Sequence, residues 1–480
     1  MTFWTAQHLA RTTGGRLCGS APVDGPVGGI SIDTRTLRRG EAYLALRGER
    51  YDGHDFLDAA EANGASLLIV GRGTGPGRAT AVLEVDNTLE ALQRMASTYR
   101  DHLATSGTRL ISVSGSNGKT TCRHLIHGVL SSHLRGTQSP RSFNNHVGVP
   151  LTILAAVPGD DFVVAELGTN HPGEIDALGA IARPDAAVIT NIGDEHLEFF
   201  GTRQAVAAEE AAILKYVVEG GLLVLPTEED GGPWPAAGGQ GRRVVRTGVD
   251  LRVADLSAAT LRRAARVCLE DGLVFTLPLL GRHNIDNALG AVAVARWMQV
   301  PDDRIAAALA RVAPMPMRTQ VLRFGRDDEA ATVIHDAYNA NPDSMRRALD
   351  LVETDLAVDG QGCCVLIVGD MLELGEAAAA AHRELGRRIA QLASRLRLVV
   401  LIGPLTTRYA AEQIRRGAAD LRMCHFEAWA QDVPRRIGDM LRGGDIILLK
   451  ASRGIGLERL LPAVEQRFGA CEADPGPVDS

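Results

Sequence analysis

One segment constrains the fold more than any other. The apolar run Leu110-Ile-Ser-Val-Ser114 leads through Gly115-Ser-Asn-Gly118 into Lys119-Thr-Thr121, and then into a stretch with Leu125, Ile126, Val129 and Leu130 on one side. A strand, a glycine turn and a helix start in that order surround an anion with backbone N–H groups and the positive end of a helix dipole. Gly115 and Gly118 let the backbone wrap closely around Ser116 and Asn117. Lys119 can reach the β- and γ-phosphates of a nucleotide, and the Thr120 hydroxyl, followed by Thr121, can ligate Mg²⁺. The longer form of this loop would need glycine where Val113 stands, so this is the shorter Gly-x-x-Gly-Lys-Thr-Thr variant. A glycine turn between strand and helix can be purely structural, but the Lys-Thr-Thr that follows favours a nucleotide site.

The rest of the chain agrees with an α/β organisation. Strand-like runs at residues 110–114, 161–167, 185–192 and 221–226 alternate with helical stretches, the pattern of a parallel sheet covered by helices. The pattern restarts after residue 318, with candidate strands at 331–337, 363–370, 397–404 and 445–452. The expected fold class is α/β in three domains. These are a mixed α/β module at 1–105, a central P-loop ATPase-like parallel-sheet domain at 106–317 and a Rossmann-like domain at 318–468. A polar tail, 469–480, is expected to fray, and the Gly/Pro-rich segment 227–241 reads as a surface loop.

Composition narrows the function classes. With 51 basic against 58 acidic residues the net charge is -7, which lacks the positive field of a general nucleic-acid binder. No run reaches the ~18 apolar residues of a membrane span, and the N-terminus has no basic region followed by an apolar stretch. Seven cysteines, an odd number without a C-x-x-C pair, support neither a disulfide framework nor a structural zinc site. A cytoplasmic, monomeric protein is expected.

Phosphoryl transfer needs a hard divalent cation with oxygen ligands. Glu166 follows one apolar strand, and Asn191, Asp194, Glu195 and His196 follow the next. Ligands of open parallel sheets gather at the carboxyl ends of the strands, so both groups should approach the glycine turn. Taken singly, Glu166 reads as a solvated strand-end charge and His196 as an ordinary loop histidine. Their shared placement favours ligands.

Together, the glycine turn, Glu166, Asn191 with His196, and Gly281-Arg-His-Asn-Ile-Asp-Asn-Ala288 resemble the Mur ligases. Those are three-domain, ATP-dependent amide ligases of peptidoglycan precursor synthesis. Further segments resemble the branch that joins D-alanyl-D-alanine to UDP-N-acetylmuramoyl-tripeptide. They are Ile32-Asp-Thr-Arg35, Phe143-Asn-Asn-His146, Ala337-Tyr-Asn-Ala-Asn-Pro342, Gly369-Asp-Met-Leu-Glu373 and Ser452-Arg-Gly-Ile455. The resemblance implies ATP and Mg²⁺ as cofactors. Lys119 and Thr120 would then hold phosphate and metal, with Glu166 and His196 on metal and Asn284 and Asn287 at the adenine. Arg318 would lie on phosphate and Asp336 on ribose. Asp33, Thr34, Arg35, Asn144 and Asn145 would line the UDP-precursor side. Alternatives stand beside these roles: helix capping for Asn284 and Asn287, an interdomain ion pair for Arg318 and Asp336, and a plain loop role for the asparagines at 144 and 145.

One departure matters. After His196 the family usually carries a carbamylated lysine that helps hold a second metal, and here Glu210 stands in its place. Lys215, five residues on, is turned about 140° around a helix and does not substitute. Glu210 is therefore expected to supply that negative charge, the alternative being an exposed helical acid. Two rival functions follow from this and other departures: a related ligase with another carboxylate and amine, or a nucleotide-binding protein with impaired catalysis.

Overall fold

The computed structural model describes residues 3–18, 25–48, 50–74, 78–140, 142–226, 241–257, 264–326, 329–353 and 364–473. The central sheet has six parallel strands in the order Arg243–Arg246, Leu222–Leu225, Ala186–Ile189, Arg109–Ser114, Phe162–Glu166 and Gly136–Gln138. Strand Arg109–Ser114 lies inside this sheet, and all of it after Arg109 is buried. Ile111 and Val113 enter one core and Leu110 the other, so both faces are covered, and Ser112 and Ser114 are buried on the same face as Leu110. A three-stranded antiparallel sheet, Val253–Ser257, Ala265–Leu269 and Val274–Leu277, packs against the same domain. The expected surface loop at 227–241 lies outside the described residues except for Gly241.

The N-terminal part carries a five-stranded sheet in the order Arg16–Cys18, Ala81–Val85, Leu67–Gly71, Ala42–Leu44 and Ile30–Ser31, antiparallel only at its first pair. The C-terminal part has seven strands, ordered Met423–Phe426, Leu396–Ile402, Cys364–Gly369, Ile446–Lys450, Ala331–His335, Gln320–Phe324 and Cys471–Ala473. Five are parallel and the last two join antiparallel. The three-domain α/β architecture is thus as the sequence predicts, with a mixed rather than all-parallel last sheet. One local expectation is corrected: residues 471–473 of the expected tail form strand Cys471–Ala473 at the sheet edge beside Gln320–Phe324. The strand Arg109–Ser114 is preceded by an 18-residue helix, Thr88–Thr105.

That helix joins the first two domains. Its Leu92, Met95 and Ala96 share one core with Val163, Ala165 and Ile189 of the central sheet. On the buried side of the joint Arg100 donates to Asp185 Oδ2 at 2.7 Å and to the carbonyls of Ala182 and Arg183. Asp185 also accepts from the Leu110 N–H at 2.8 Å, so one carboxylate fixes both the helix and the start of the central strand. Among the described residues no helix is long and apolar enough to cross a membrane.

Breaking a buried pair leaves an uncompensated charge, a loss of about 3 kcal/mol. Asp185→Ala is expected to lower the unfolding free energy by that amount in a denaturant titration. Glu412→Ala, which breaks the exposed pair with Arg416, should change it by less than about 0.5 kcal/mol.

Candidate active site

The strands ending at Ser114, Glu166 and Ile189 are parallel neighbours, and their carboxyl ends open on one cavity of about 400 Å³. Its wall comes from two domains: Lys119 and Thr120 from the start of helix Lys119–Leu130 and Glu166 from the end of its strand, and Arg318, Asp336 and Lys450 from the connection and the strand ends of the last sheet.

The glycine turn is held from beneath. Gly115 has φ +113°, and its N–H donates to Glu210 Oε2 at 2.8 Å. Ser116 N–H donates to the Asn191 carbonyl at 2.9 Å, and Asn117 N–H to Asn191 Oδ1 at 3.2 Å. Gly118, at φ +85°, is the N-cap of helix Lys119–Leu130. A Cβ there would come within 2.6 Å of Asn287 Oδ1. Thr121 follows in the first turn and lines the cavity with Ser116, Asn117 and Gly118.

Around the helix start, Thr120 Oγ1 donates to Glu166 Oε1 at 3.1 Å and accepts from Arg318 Nη2 at 2.9 Å. Asn144 Nδ2 donates to the same Glu166 oxygen at 3.1 Å. Glu166 Oε2 is buried with no hydrogen-bond partner, 3.5 Å from Arg123 Nε. Lys119 folds back on its own loop, donating to the carbonyls of Gly115 at 2.5 Å and Ser116 at 3.3 Å. Burial works against its charge, but the nearby carboxylates of Glu195, Glu210 and Glu166 outweigh that and raise its pKa.

His196 lies at φ +47°, with Nδ1 2.9 Å from Glu373 Oε2 of the last domain but off the line of a hydrogen bond. Glu210 is fully buried, not an exposed helical acid. Burial pushes its carboxyl up to about 7 against the pull of Lys119, and the charge of Glu195 adds to the rise. Its neighbour Glu209 accepts from the N–H groups of Gly173 and Ile175 and so fixes the start of helix Glu174–Ala182. Lys215 faces away and pairs with Asp176.

Asn284 and Asn287 sit in the first two turns of helix Arg282–Trp297 and line the cavity, but neither caps that helix, whose N-cap is Gly281. Asn284 Nδ2 donates to the Leu280 carbonyl at 2.7 Å, and Asn287 Nδ2 reaches Asn284 Oδ1 at 3.3 Å. Arg318 lies between two residues with positive φ, Met317 and Thr319, and stacks 4.2 Å over the Tyr338 ring. Asp336 does not pair with it. It accepts from Lys450 Nζ at 2.8 Å and from the Thr319 N–H at 3.2 Å. Asn145 lines the cavity while its Oδ1 accepts from Val147 and Gly148 at the start of helix Gly148–Leu154. Asp33, Thr34 and Arg35 are in the N-terminal domain outside this cavity, where Arg35 pairs locally with Asp33 at 2.7 Å.

Three features of the site escaped the reading of the sequence. Arg123 is buried under the helix start, Asn341 Nδ2 donates to Asn117 Oδ1 at 2.9 Å across the domain boundary, and Asp343 Oδ2 accepts from the Asp194 N–H at 2.6 Å. Nothing in the sequence sets Arg123 apart from an exposed basic residue, since Lys119, Thr120 and His127 share its side of the helix. The other two depend on domain packing.

The donor set suits a hard cation only in part. Thr120 and the unpartnered Glu166 oxygen offer oxygen ligands in a buried place. Among the described residues no group of three or more His, Cys, Asp or Glu could hold a metal by itself, so Thr120, Glu166, His196 and Glu210 do not form a closed cage. A cation here would need oxygens from a bound phosphate to complete its shell.

Three family models match the chain: the Mur ligase middle domain over residues 113–295, the Mur ligase glutamate ligase domain over 317–453, and the Mur ligase family catalytic domain over 26–100. The chain is 34% identical over 469 residues to a protein of Bacillus subtilis (strain 168) named UDP-N-acetylmuramoyl-tripeptide--D-alanyl-D-alanine ligase, covering 95% of this chain and 97% of that one. It is 32% identical over 394 residues to the protein of that name from Escherichia coli (strain K12), covering 80% and 82%. A crystal structure of MurF from Acinetobacter baumannii superposes with a TM-score of 0.82 at 28% identity, covering 96% of this chain and 99% of that one. MurF ligase from Thermotoga maritima in complex with ADP gives 0.74 at 27% identity, covering 92% and 97%.

At Gly115 a Cβ would meet Thr190 Oγ1 at 2.4 Å and backbone at 2.8 Å, whereas at Gly173, also with positive φ, nothing lies within 4 Å. Gly173→Ala should therefore cost only the left-handed strain, about 1 kcal/mol. Gly115→Ala should cost at least about 2 kcal/mol more and abolish ADP binding, both measured as thermal shifts with and without nucleotide.

Proposed function

The chain belongs to the Mur ligase family, and on that premise we propose that it joins D-alanyl-D-alanine to UDP-N-acetylmuramoyl-tripeptide while ATP becomes ADP and phosphate. The observation that carries this reading is the meeting of Lys119, Thr120 and Glu166 with Arg318 at the mouth of one two-domain cavity.

A carboxylate is a poor acyl donor, so the reaction needs it activated. Its oxygen attacks the γ-phosphorus of ATP, ADP leaves, and an acyl phosphate remains. The free amine of the dipeptide then attacks the acyl carbon, phosphate leaves, and the amine gives up its proton. Each step brings anions together, and the residues here answer that problem by position and charge. The first turn of helix Lys119–Leu130 presents N–H groups to the phosphates, and Lys119 can swing from its own carbonyls to the β/γ region. Arg318 stands over Thr120 on a stacked, immobilised side chain and supplies a second positive charge from the last domain. His283, which lines the cavity, is lowered to about 4 by burial and so adds no charge at neutral pH.

Thr120 and Glu166 would hold Mg²⁺, with His196 and Glu210 behind them, and the ion would neutralise phosphate charge. Glu210 is this chain's departure from the lysine usual in the family, and its buried carboxyl group stands at the underside of the glycine turn. Asn284 and Asn287, beside Gly118, would border the adenine, and Asp336 the ribose. Asp33, Thr34 and Arg35 would meet the UDP end of the precursor, while Asn144 and Asn145 would face its peptide end. Bounds of 1–105, 106–317 and 318–468 serve as the working division of the chain among these roles.

The test is an incubation with ATP, Mg²⁺, UDP-N-acetylmuramoyl-tripeptide and D-alanyl-D-alanine, with the amide product identified by mass. One phosphate per product is expected, and Lys119→Met should lower the rate by about 10³-fold. Nucleotide binding without product would point to a protein that only binds. Glu210→Gln should raise the Mg²⁺ needed for half-maximal rate by about tenfold, and an unchanged Mg²⁺ response would remove Glu210 from the metal site.

A further inference from the structure

Glu195 has a place in this site that the reaction described above leaves unused. Its side chain is 6% exposed and lines the cavity. Oε2 lies 3.6 Å from Lys119 Nζ, and Oε1 is buried with no hydrogen-bond partner. The lysine is thereby held on three sides: by the carbonyls of Gly115 and Ser116 and by this carboxylate. In that pose its ammonium is turned onto its own loop.

The backbone carrying Glu195 is fixed at several points. Ser116 Oγ accepts from the Gly193 N–H at 2.8 Å, Glu195 N–H donates to the Gly193 carbonyl at 3.1 Å, and the Asp194 N–H is tied to Asp343. The carboxylate cannot drift away to water, so its charge acts on Lys119 continuously. In a poorly solvated cavity such a pair is much stronger than at the surface.

We propose that Glu195 is a positioning residue for Lys119, holding the loop lysine against its own carbonyls so that ATP must displace it. The inference rests on the ATP-dependent reading above. It makes Glu195 a brake on nucleotide binding: the phosphates compete with this carboxylate for one ammonium, and the energy of the parked pair is subtracted from ATP affinity.

Two other roles make different predictions. A metal ligand would matter only when Mg²⁺ is present, and simple repulsion between Glu195 and phosphate would act whether or not Lys119 is there. Binding of a fluorescent ATP analogue to the full-length protein, in EDTA and in Mg²⁺, separates them using Glu195→Gln, Lys119→Met and the double variant. Glu195→Gln is expected to bind about tenfold tighter in EDTA, and the same change in the Lys119→Met background should move affinity by less than about twofold. Glu195→Asp, which keeps the charge but withdraws it from the ammonium, should fall between wild type and Glu195→Gln and guards against a misfolded variant. Unchanged or weaker binding by Glu195→Gln overturns the assignment. An equal gain in the Lys119→Met background does so in favour of direct repulsion, and a loss confined to Mg²⁺ in favour of a metal ligand. Wild-type protein that binds no nucleotide in either condition would refute the ATP reading itself, and this inference with it.

Discussion

Six ionisable side chains share one buried space at the carboxyl ends of the central strands. Lys119, Arg123 and Arg318 face Glu166, Glu195 and Glu210. An unpaired ion in such a place costs several kcal/mol, so the charges of this set depend on one another, and Glu210, pushed up to about 7 by burial, is only partly ionised near neutral pH. Most of the local architecture follows from keeping that set in balance. Glu210 is tied to the turn by the Gly115 N–H, Glu166 by Thr120 and Asn144, and Lys119 by its own loop. A triphosphate entering this space would disturb the balance, so the residues that stabilise one another are also those placed to respond to a ligand.

The frame that holds these charges is rigid for ordinary reasons. Strand Arg109–Ser114 is covered on both faces, its neighbours are parallel, and a parallel sheet brings every carboxyl end to the same edge. The buried Arg100 and Asp185 pair lies at the opposite end of that strand and locks the N-terminal helix to the sheet. The last domain is joined through a shared apolar core, in which Leu280, Ile285 and Ala288 cluster with Met345, Leu349 and Leu351, and through polar contacts at the cavity such as Asn341 to Asn117. Strong apolar packing thus fixes the phosphate side. The charge supplied by the last domain arrives at the polar rim of that shared core, on Arg318, where it reaches Thr120.

The glycine turn was legible in the sequence because its chemistry is local: glycines that tolerate positive φ, then Lys119 and Thr120 at a helix start. Glu166 and His196 could be placed near it because strand ends in a parallel sheet converge whatever the loops between them do. Asn284 and Asn287 were legible as cavity residues but not in their contacts, since packing of Asn287 against Gly118 joins positions far apart in the chain. Arg123 and Asn341 were not legible as site residues, because a buried arginine and an interdomain asparagine look like surface residues until their neighbours are known. The extra strand Cys471–Ala473 was hidden by a polar composition that resembles a frayed end, yet edge pairing needs only backbone hydrogen bonds.

The sequence by itself determined the α/β class, the position of the phosphate cradle and the family, because these depend on hydrophobic period, on backbone freedom at two glycines and on short motifs. Tertiary structure alone decided that Asp336 pairs with Lys450 while Arg318 reaches Thr120, and that Glu210 is a fully buried support of the turn. It also decided that Glu195 restrains Lys119. Which charge neutralises which depends on distances and hydration within a folded cavity, and residue spacing along a chain does not encode those.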